Sequence, residues 1–234
     1  MLKARCATTR RSDHVFTISL EGNIGAGKST LLRKFAGMIN VDVLAEPVHQ
    51  WQNAEGCNLL ELMYIDPTRY GLTFQSYVQE TMTAHHVQKP SSAWVNLKVM
   101  ERSLYSSRNC FIKHAHQKGT LSDPASRFLT GQFNYLTTES GLDFVVDLVV
   151  YLRTSPGVAW ERMQSRGRSE EGTVTLQYLQ EIHDLHETWL NSGTPEESVL
   201  IIDGDQDYTR DPWLCQGAVE RILEKVDSLR NKNP

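Results

Sequence analysis

No apolar run in this 234-residue chain approaches the ~20 residues that a membrane-spanning helix needs. A membrane is therefore not expected as a partner. The four cysteines, Cys6, Cys57, Cys110 and Cys215, form no C-x-x-C pair. That argues against a zinc site or a disulfide framework and for a reducing compartment. A basic excess is missing as well: 24 Lys and Arg stand against 28 Asp and Glu, for a net charge of −4. Such a balance offers no electrostatic field to nucleic acid. Internal repeats and low-complexity linkers are also absent. The length suits one domain, and an apolar fraction of 40% supplies a core for it.

The first stretch, "MLKARCATTRRSD", places Lys3, Arg5, Arg10 and Arg11 ahead of its first acid, Asp13, among Thr8, Thr9 and Ser12. It suits a short flexible basic tail better than the end of a mitochondrial transit segment. Residues 1–14 are accordingly set apart from a single domain over 15–230. The expected compartment is cytoplasmic or mitochondrial.

Strand-like and helix-like stretches alternate along the rest. Strands are expected at 15–22 (VFTISLEG), 41–46 (VDVLAE), 95–102 (VNLKVMER), 144–153 (FVVDLVVYLR) and 198–203 (SVLIID). Helices are expected at 29–39, on both sides of the Asp66-Pro67 turn, at 104–117, from Gly157, and last in the chain, ending near Leu229. In "VTLQYLQEIHDLHETWL", Leu176, Leu179, Ile182, Leu185 and Trp189 fall on one helical face. Apolar strands separated by helices imply an α/β fold with a five-stranded parallel sheet covered on both faces. Ligands then sit beyond the carboxyl ends of the strands. Three distant features stand there: the glycine loop, Glu46 and Glu101.

The loop "GNIGAGKST" contains Gly22, Asn23, Ile24, Gly25, Ala26, Gly27, Lys28, Ser29 and Thr30 and fits G-x-x-x-x-G-K-[ST]. Its glycines let successive N–H groups turn toward phosphate oxygens. Lys28 can reach the outer phosphates and the Ser29 hydroxyl can bind Mg²⁺. The strand before it and the helix after it are the required context. Asp-x-x-Gly and Asn-Lys-x-Asp, the marks of nucleotide switches, do not occur. Transfer of a phosphoryl group to a small acceptor is therefore favoured over switching.

Glu46 in "AEPVHQW" suits a base that takes a proton from an attacking hydroxyl, and equally an ordinary strand-end acid. Glu101 in "MERS" suits a Mg²⁺ ligand or an orienter of Arg102, and equally an ion pair at the sheet edge. Arg162, Arg166 and Arg168 cluster around Gly167 near a helix end. Three guanidiniums there suit the spreading charge of a transferring phosphoryl group better than a merely solvated helix end. Phe74, Phe111, Met63 and Tyr64, read alone, are more often core than binding surface. His183 and His186 lack a third ligand for a metal.

The ordered set "EGNIGAGKST", "EPVHQW", "FQSYVQ", "MERSLYSSR" and "RGRSEE…LQYLQEIHDLHETWL" resembles the deoxyribonucleoside kinase family over residues 15 to 203. The resemblance implies a P-loop kinase fold with an arginine-rich lid, ATP with Mg²⁺ as donor, a deoxynucleoside as acceptor, and a homodimer packed through helices. It implies Glu46 as base for the 5′-hydroxyl and Arg102 at the reacting end of the sugar. Gln75 would pair with the edge of the base, and Tyr64 and Glu171 would hold the 3′-hydroxyl. Trp51, Met63, Phe74 and Phe111 would wall the base. Arg162, Arg166 and Arg168 would cover the donor phosphates, and Ser29 and Glu101 would lie at Mg²⁺. Ser107 stands where purine-accepting members carry an aspartate, and Val78 and Met82 narrow the space beyond the base. A pyrimidine preference, thymidine and deoxycytidine, follows. The competing readings are a nucleoside monophosphate kinase of the thymidylate kinase type and a non-catalytic nucleotide-binding module. The first needs arginines, not a base, at its acceptor.

Overall fold

The computed structural model describes residues 15–192 and 194–232; the expectations for the basic N-terminal stretch lie outside them. Strand β1 (Phe16–Glu21) runs into the glycine loop and helix α1 (Lys28–Leu32). Next come β2 (Val41–Leu44), α2 (Val48–Gln52), α3 (Leu59–Ile65), the long α4 (Pro67–Val87) and β3 (Leu97–Glu101). Helix α5 (Leu104–Ser106), a π-helical turn (Ser107–Ile112) and α6 (Lys113–Gln117) then run on without a break. Helix α7 (Asp123–Asn134) and β4 (Leu148–Arg153) follow. The chain continues as α8 (Pro156–Arg166), α9 (Leu176–Ser192), β5 (Val199–Asp203) and α10 (Pro212–Lys232).

All five strands are parallel, in the order β2-β3-β1-β4-β5. β1 is central and buried along its whole length. Alternate residues along the strands of the sheet serve two different layers. Phe16, Ile18 and Leu20 join Leu148, Val150 and Leu152 in a core closed by α1 and α10, through Leu31, Ile222 and Val226. On the opposite face Val149 and Tyr151 belong to a second core with Trp51, Phe74, Tyr105 and Trp189. Both faces are thus apolar, the condition under which a wholly parallel sheet is stable.

Several expectations are corrected in detail. The helix expected over 29–39 ends at Leu32, and 33–37 form tight turns. There the N–H groups of Lys34, Phe35 and Ala36 reach back three residues, to Leu31, Leu32 and Arg33. β2 stops at Leu44, because Glu46 and Pro47 turn the chain into α2. β4 starts at Leu148, although Phe144 and Val146 before it are buried. Leu176 at the start of α9 is 48% exposed, while Leu179, Ile182, Leu185 and Trp189 are buried. Helix α7 was not anticipated at all; Ser122 caps it by accepting from the Ala125 N–H at 3.4 Å. The Asp66-Pro67 turn is as expected. Asp66 accepts from the Arg69 N–H at 3.1 Å and Pro67 occupies the first turn of α4.

The glycine loop is set tightly against α8. Gly25 has φ +78°, and a Cβ there would stand 2.1 Å from the Ala159 carbonyl oxygen. Gly25→Ala should therefore cost at least about 2 kcal/mol, from left-handed strain and overpacking together. Urea unfolding of the two proteins measures it. An unchanged midpoint would mean that the loop moves freely away from α8.

Candidate active site

The carboxyl ends of β1, β2 and β3 open into a cavity of about 530 Å³. Its floor comes from the glycine loop, through Ile24, Gly25, Lys28 and Ser29, and from the β3 end, through Glu101 and Arg102. One wall is Trp51 of α2, Met63 and Tyr64 of α3, and Phe74, Gln75, Val78 and Met82 of α4. Ser107 and Phe111 of the π-helical turn face it, and Arg166, Arg168 and Glu171 close the far side. Arg162 does not line the cavity. Its guanidinium donates to the carbonyls of Gly204, Asp205 and Gln206, at 2.5, 2.9 and 3.0 Å, and so fastens the segment after β5.

The floor gathers charge in the interior. Lys28 is buried, and its Nζ donates to the carbonyls of Asn23 at 2.8 Å and Gly22 at 3.3 Å. Burial first, and then the Arg102 charge, pull this ammonium down to about 8. Asn23 holds the loop's other side, donating to the Leu179 carbonyl at 2.7 Å and accepting from the Ile24 N–H at 2.9 Å. Ser29 Oγ donates to Glu101 Oε1 at 2.7 Å. Two hard oxygen donors, side by side and lining the cavity, fit Mg²⁺, which takes few protein ligands and completes its octahedron with phosphate and water. Among the described residues no group of three or more His, Cys, Asp or Glu could hold a metal by itself, so the pair His183 and His186 stays without a third ligand.

Arg102 is the strained member, with φ +62°, a conformation costly for a non-glycine residue. The N–H that fixes its backbone donates to the Leu20 carbonyl at 2.9 Å. Its Nε lies 2.9 Å from Glu46 Oε1, and its guanidinium sits over the Phe111 ring at 4.8 Å. Burial would lower its basicity, but Glu46, Glu21 and Glu101 outweigh that and raise it. On the far side, Arg166 Nη2 donates to both oxygens of Glu171, at 2.7 and 2.8 Å, and Arg168 Nη1 to Oε1 at 2.7 Å. The Tyr64 hydroxyl is pushed well above its ordinary value by burial and then by the Tyr178 and Glu171 charges, which keeps it a neutral donor.

The wall is apolar with few polar points. Trp51 and Phe74 meet edge to face at 5.7 Å, and Trp51 Nε1 donates to Thr81 Oγ1 at 2.9 Å. Gln75 is buried and accepts from Ser107 Oγ at 3.3 Å. The π-helical turn sets Ser107 and Phe111 toward the cavity, while Arg108 turns away onto the Phe133 ring at 4.9 Å. Sequence reasoning missed Tyr178 and His114, which also line the cavity. It missed Glu21 as well, although an acid ending the strand "FTISLE" was a visible anomaly.

Known proteins match this arrangement in sequence. The profile of the family "Deoxynucleoside kinase" matches residues 18–229. The chain is 39% identical over 209 residues to mitochondrial thymidine kinase 2 of Homo sapiens, covering 88% of this chain and 77% of that one. It is 36% identical to a probable deoxycytidine kinase of Fowlpox virus, covering 91% and 88%, and 32% identical to a mitochondrial deoxyguanosine kinase of Xenopus laevis, covering 86% of each. The chain belongs to the deoxynucleoside kinase family. It is an ATP-dependent kinase whose acceptor is a deoxynucleoside.

Glu21 yields a test of the buried charge. It is fully buried; Ser103 Oγ donates to its Oε1 at 2.5 Å, and its Oε2 has no partner. Burial, against the opposing effects of Ser103 and Arg102, pushes the carboxyl from 4.5 up to about 7. The folded state then holds this proton more tightly than the unfolded chain. Its contribution to stability is full below about 4.5 and is lost as pH rises through about 7, a change on the order of 3 kcal/mol. Glu21→Gln should flatten the fall in Tm between pH 4.5 and 8. Identical Tm profiles for the two proteins would show that Glu21 is ionised throughout.

Proposed function

We propose that this kinase prefers pyrimidine deoxynucleosides, and that the cavity divides into a base pocket, a sugar site and a donor-phosphate site. The observation that carries the preference is the wall opposite the glycine loop. Val78 and Met82 are buried there, one and two helical turns beyond Gln75. Ser107, small and neutral, hydrogen-bonds Gln75 and offers no charge to a second ring. An amide donates and accepts together, so Gln75 can serve the edges of thymine and cytosine alike. The similarity to a thymidine kinase and a probable deoxycytidine kinase supports the same reading.

In the reaction, the 5′-hydroxyl is placed at Glu46, which takes its proton as the oxygen attacks the γ-phosphorus of ATP; the bond from that phosphorus to the β,γ-bridging oxygen breaks, and ADP leaves. Arg102, paired with Glu46 at 2.9 Å, keeps that carboxylate aimed at the sugar. Tyr64 and Glu171 hold the 3′-hydroxyl. The glycine-loop N–H groups and Lys28 cradle the donor phosphates, and an anion beside Nζ offsets the burial that lowers this ammonium. Arg166 and Arg168 balance charge on the transferring group. Ser29 and Glu101 would hold Mg²⁺, which shields the phosphate charge. Arg162 acts from behind, through the segment at Gly204–Gln206.

The homodimer is kept as part of the proposal. Phe128, Tyr135 and Leu72 are exposed apolar side chains on α7, its continuation and α4, a surface of the kind that two copies cover. A cytoplasmic or mitochondrial setting suits the free cysteines Cys57, Cys110 and Cys215. Among the described residues no helix is long and apolar enough to cross a membrane.

The assay is phosphoryl transfer over the four deoxynucleosides, with ribonucleosides as controls. kcat/KM for thymidine should exceed that for deoxyguanosine by tenfold or more, roughly the 1–3 kcal/mol that a badly fitted ring costs. A ratio at or below one would refute the pyrimidine reading. Glu46→Gln should retain thymidine binding but lower kcat by about 10² or more. If kcat is unchanged, Glu46 is only the partner of Arg102.

A further inference from the structure

Behind the cavity wall, one carboxylate that faces no ligand joins three segments of the chain. Glu170 is the second residue of the 3₁₀ turn Ser169–Thr173, one residue before the cavity-lining Glu171, and is buried. Gln52 Nε2 of α2 donates to its Oε1 at 2.9 Å, and Asn58 Nδ2 donates to the same oxygen at 3.0 Å. Ser169 Oγ donates to its Oε2 at 3.2 Å. Burial alone would raise this carboxyl, yet the hydrogen bonds of Asn58, Gln52 and Ser169 hold it below its ordinary range.

Each partner is adjacent to a part of the site. Gln52 follows Trp51, the edge-to-face partner of Phe74 in the cavity wall. Asn58 caps α3, its Oδ1 accepting from the Glu61 N–H at 3.0 Å, and α3 carries Met63 and Tyr64 into the cavity. Glu171 holds Arg166 and Arg168. Thus residues that face the cavity alternate with neighbours that point to Glu170. A nucleoside packed on Trp51 and Tyr64 fixes α2 and α3, and the hydrogen bonds to Glu170 carry that placement to the segment that bears the two arginines.

We propose that Glu170 is a positioning residue, a latch through which nucleoside binding on α2 and α3 sets the arginines over the donor phosphates. This rests on the functional reading above and adds a coupling between its two substrate sites. A coupling of this type is a ratio of affinities. It predicts that thymidine tightens binding of a non-hydrolysable ATP analogue.

The test is calorimetric titration of that analogue with and without thymidine, together with kcat, thymidine affinity and Tm. The wild type should show a tightening of about fivefold or more. Glu170→Ala should bring that ratio close to one and lower kcat by about tenfold, with thymidine affinity kept within twofold. Glu170→Gln, which still accepts from Gln52 and Asn58, should retain the coupling. Should the alanine variant fold poorly, Gln52→Glu supplies a second route. Alone it sets two carboxylates together and should uncouple the sites, and combined with Glu170→Gln it should restore them. An uncoupled wild type, an alanine variant as coupled as the wild type, or losses in Tm and thymidine affinity that Glu170→Gln shares, would overturn the latch while leaving the kinase reading intact. A folded wild type that phosphorylates no deoxynucleoside would overturn both.

Discussion

Arg102 is held between three carboxylates in the protein interior, and most of the site depends on that arrangement. An isolated guanidinium there would be costly. Glu46 pairs with it at 2.9 Å, and Glu101, joined by Glu21 whenever that carboxyl is ionised, adds charge from the neighbouring strand ends. The backbone bears part of the cost, with φ +62° at Arg102 itself. The strain is tolerated because the Arg102 N–H continues the β1–β3 ladder to Leu20 and so over-determines the turn.

From this follows a division of labour along the sheet. The ends of β1 and β3 carry the groups proposed for the donor side, because parallel neighbours in register end together: Leu20 stands opposite Glu101. The groups proposed for the acceptor side come from α2, α3, α4 and the π-helical turn, which pack on one face of that sheet. The opposite face is sealed by α1 and α10 and contributes only stability. A neutral nucleoside needs an apolar slot with a few placed polar atoms, whereas phosphates need fixed donors. One cavity between the strand ends and one helical layer supplies both.

The arginine-bearing segment is tied at two points rather than free. Glu171 gathers Arg166 and Arg168 on the cavity side, and Glu170 is held from behind by Gln52 and Asn58. Two consecutive acids thus serve opposite sides of one turn. The two guanidiniums are thereby pre-oriented, which would lower the ordering cost of binding a phosphate in the proposed reading.

The glycine loop, the strands around it and the alternation that makes the sheet parallel were legible in the sequence, because each depends on local spacing: five apolar runs, separated helices, and glycines at set intervals before a lysine. Glu46, Glu101 and Arg102 were legible as candidates for the same reason, as polar residues just past strands. Segment ends were less so. Nothing local in 29–39 says that helix α1 stops at Leu32. Helix α7 did carry local signals, passed over in the sequence: Ser122 as cap, Pro124 in the first turn and an amphipathic pattern that buries Leu129 and Phe133. Only the tertiary structure decided which side chains meet. Arg162 binds carbonyls some forty residues away, and Glu170 meets Gln52 and Asn58 across more than a hundred. Glu21 acquires a raised carboxyl because the sheet encloses it. Spacing along a chain encodes secondary structure, but burial and hydrogen bonding between distant segments arise only when the layers close on one another.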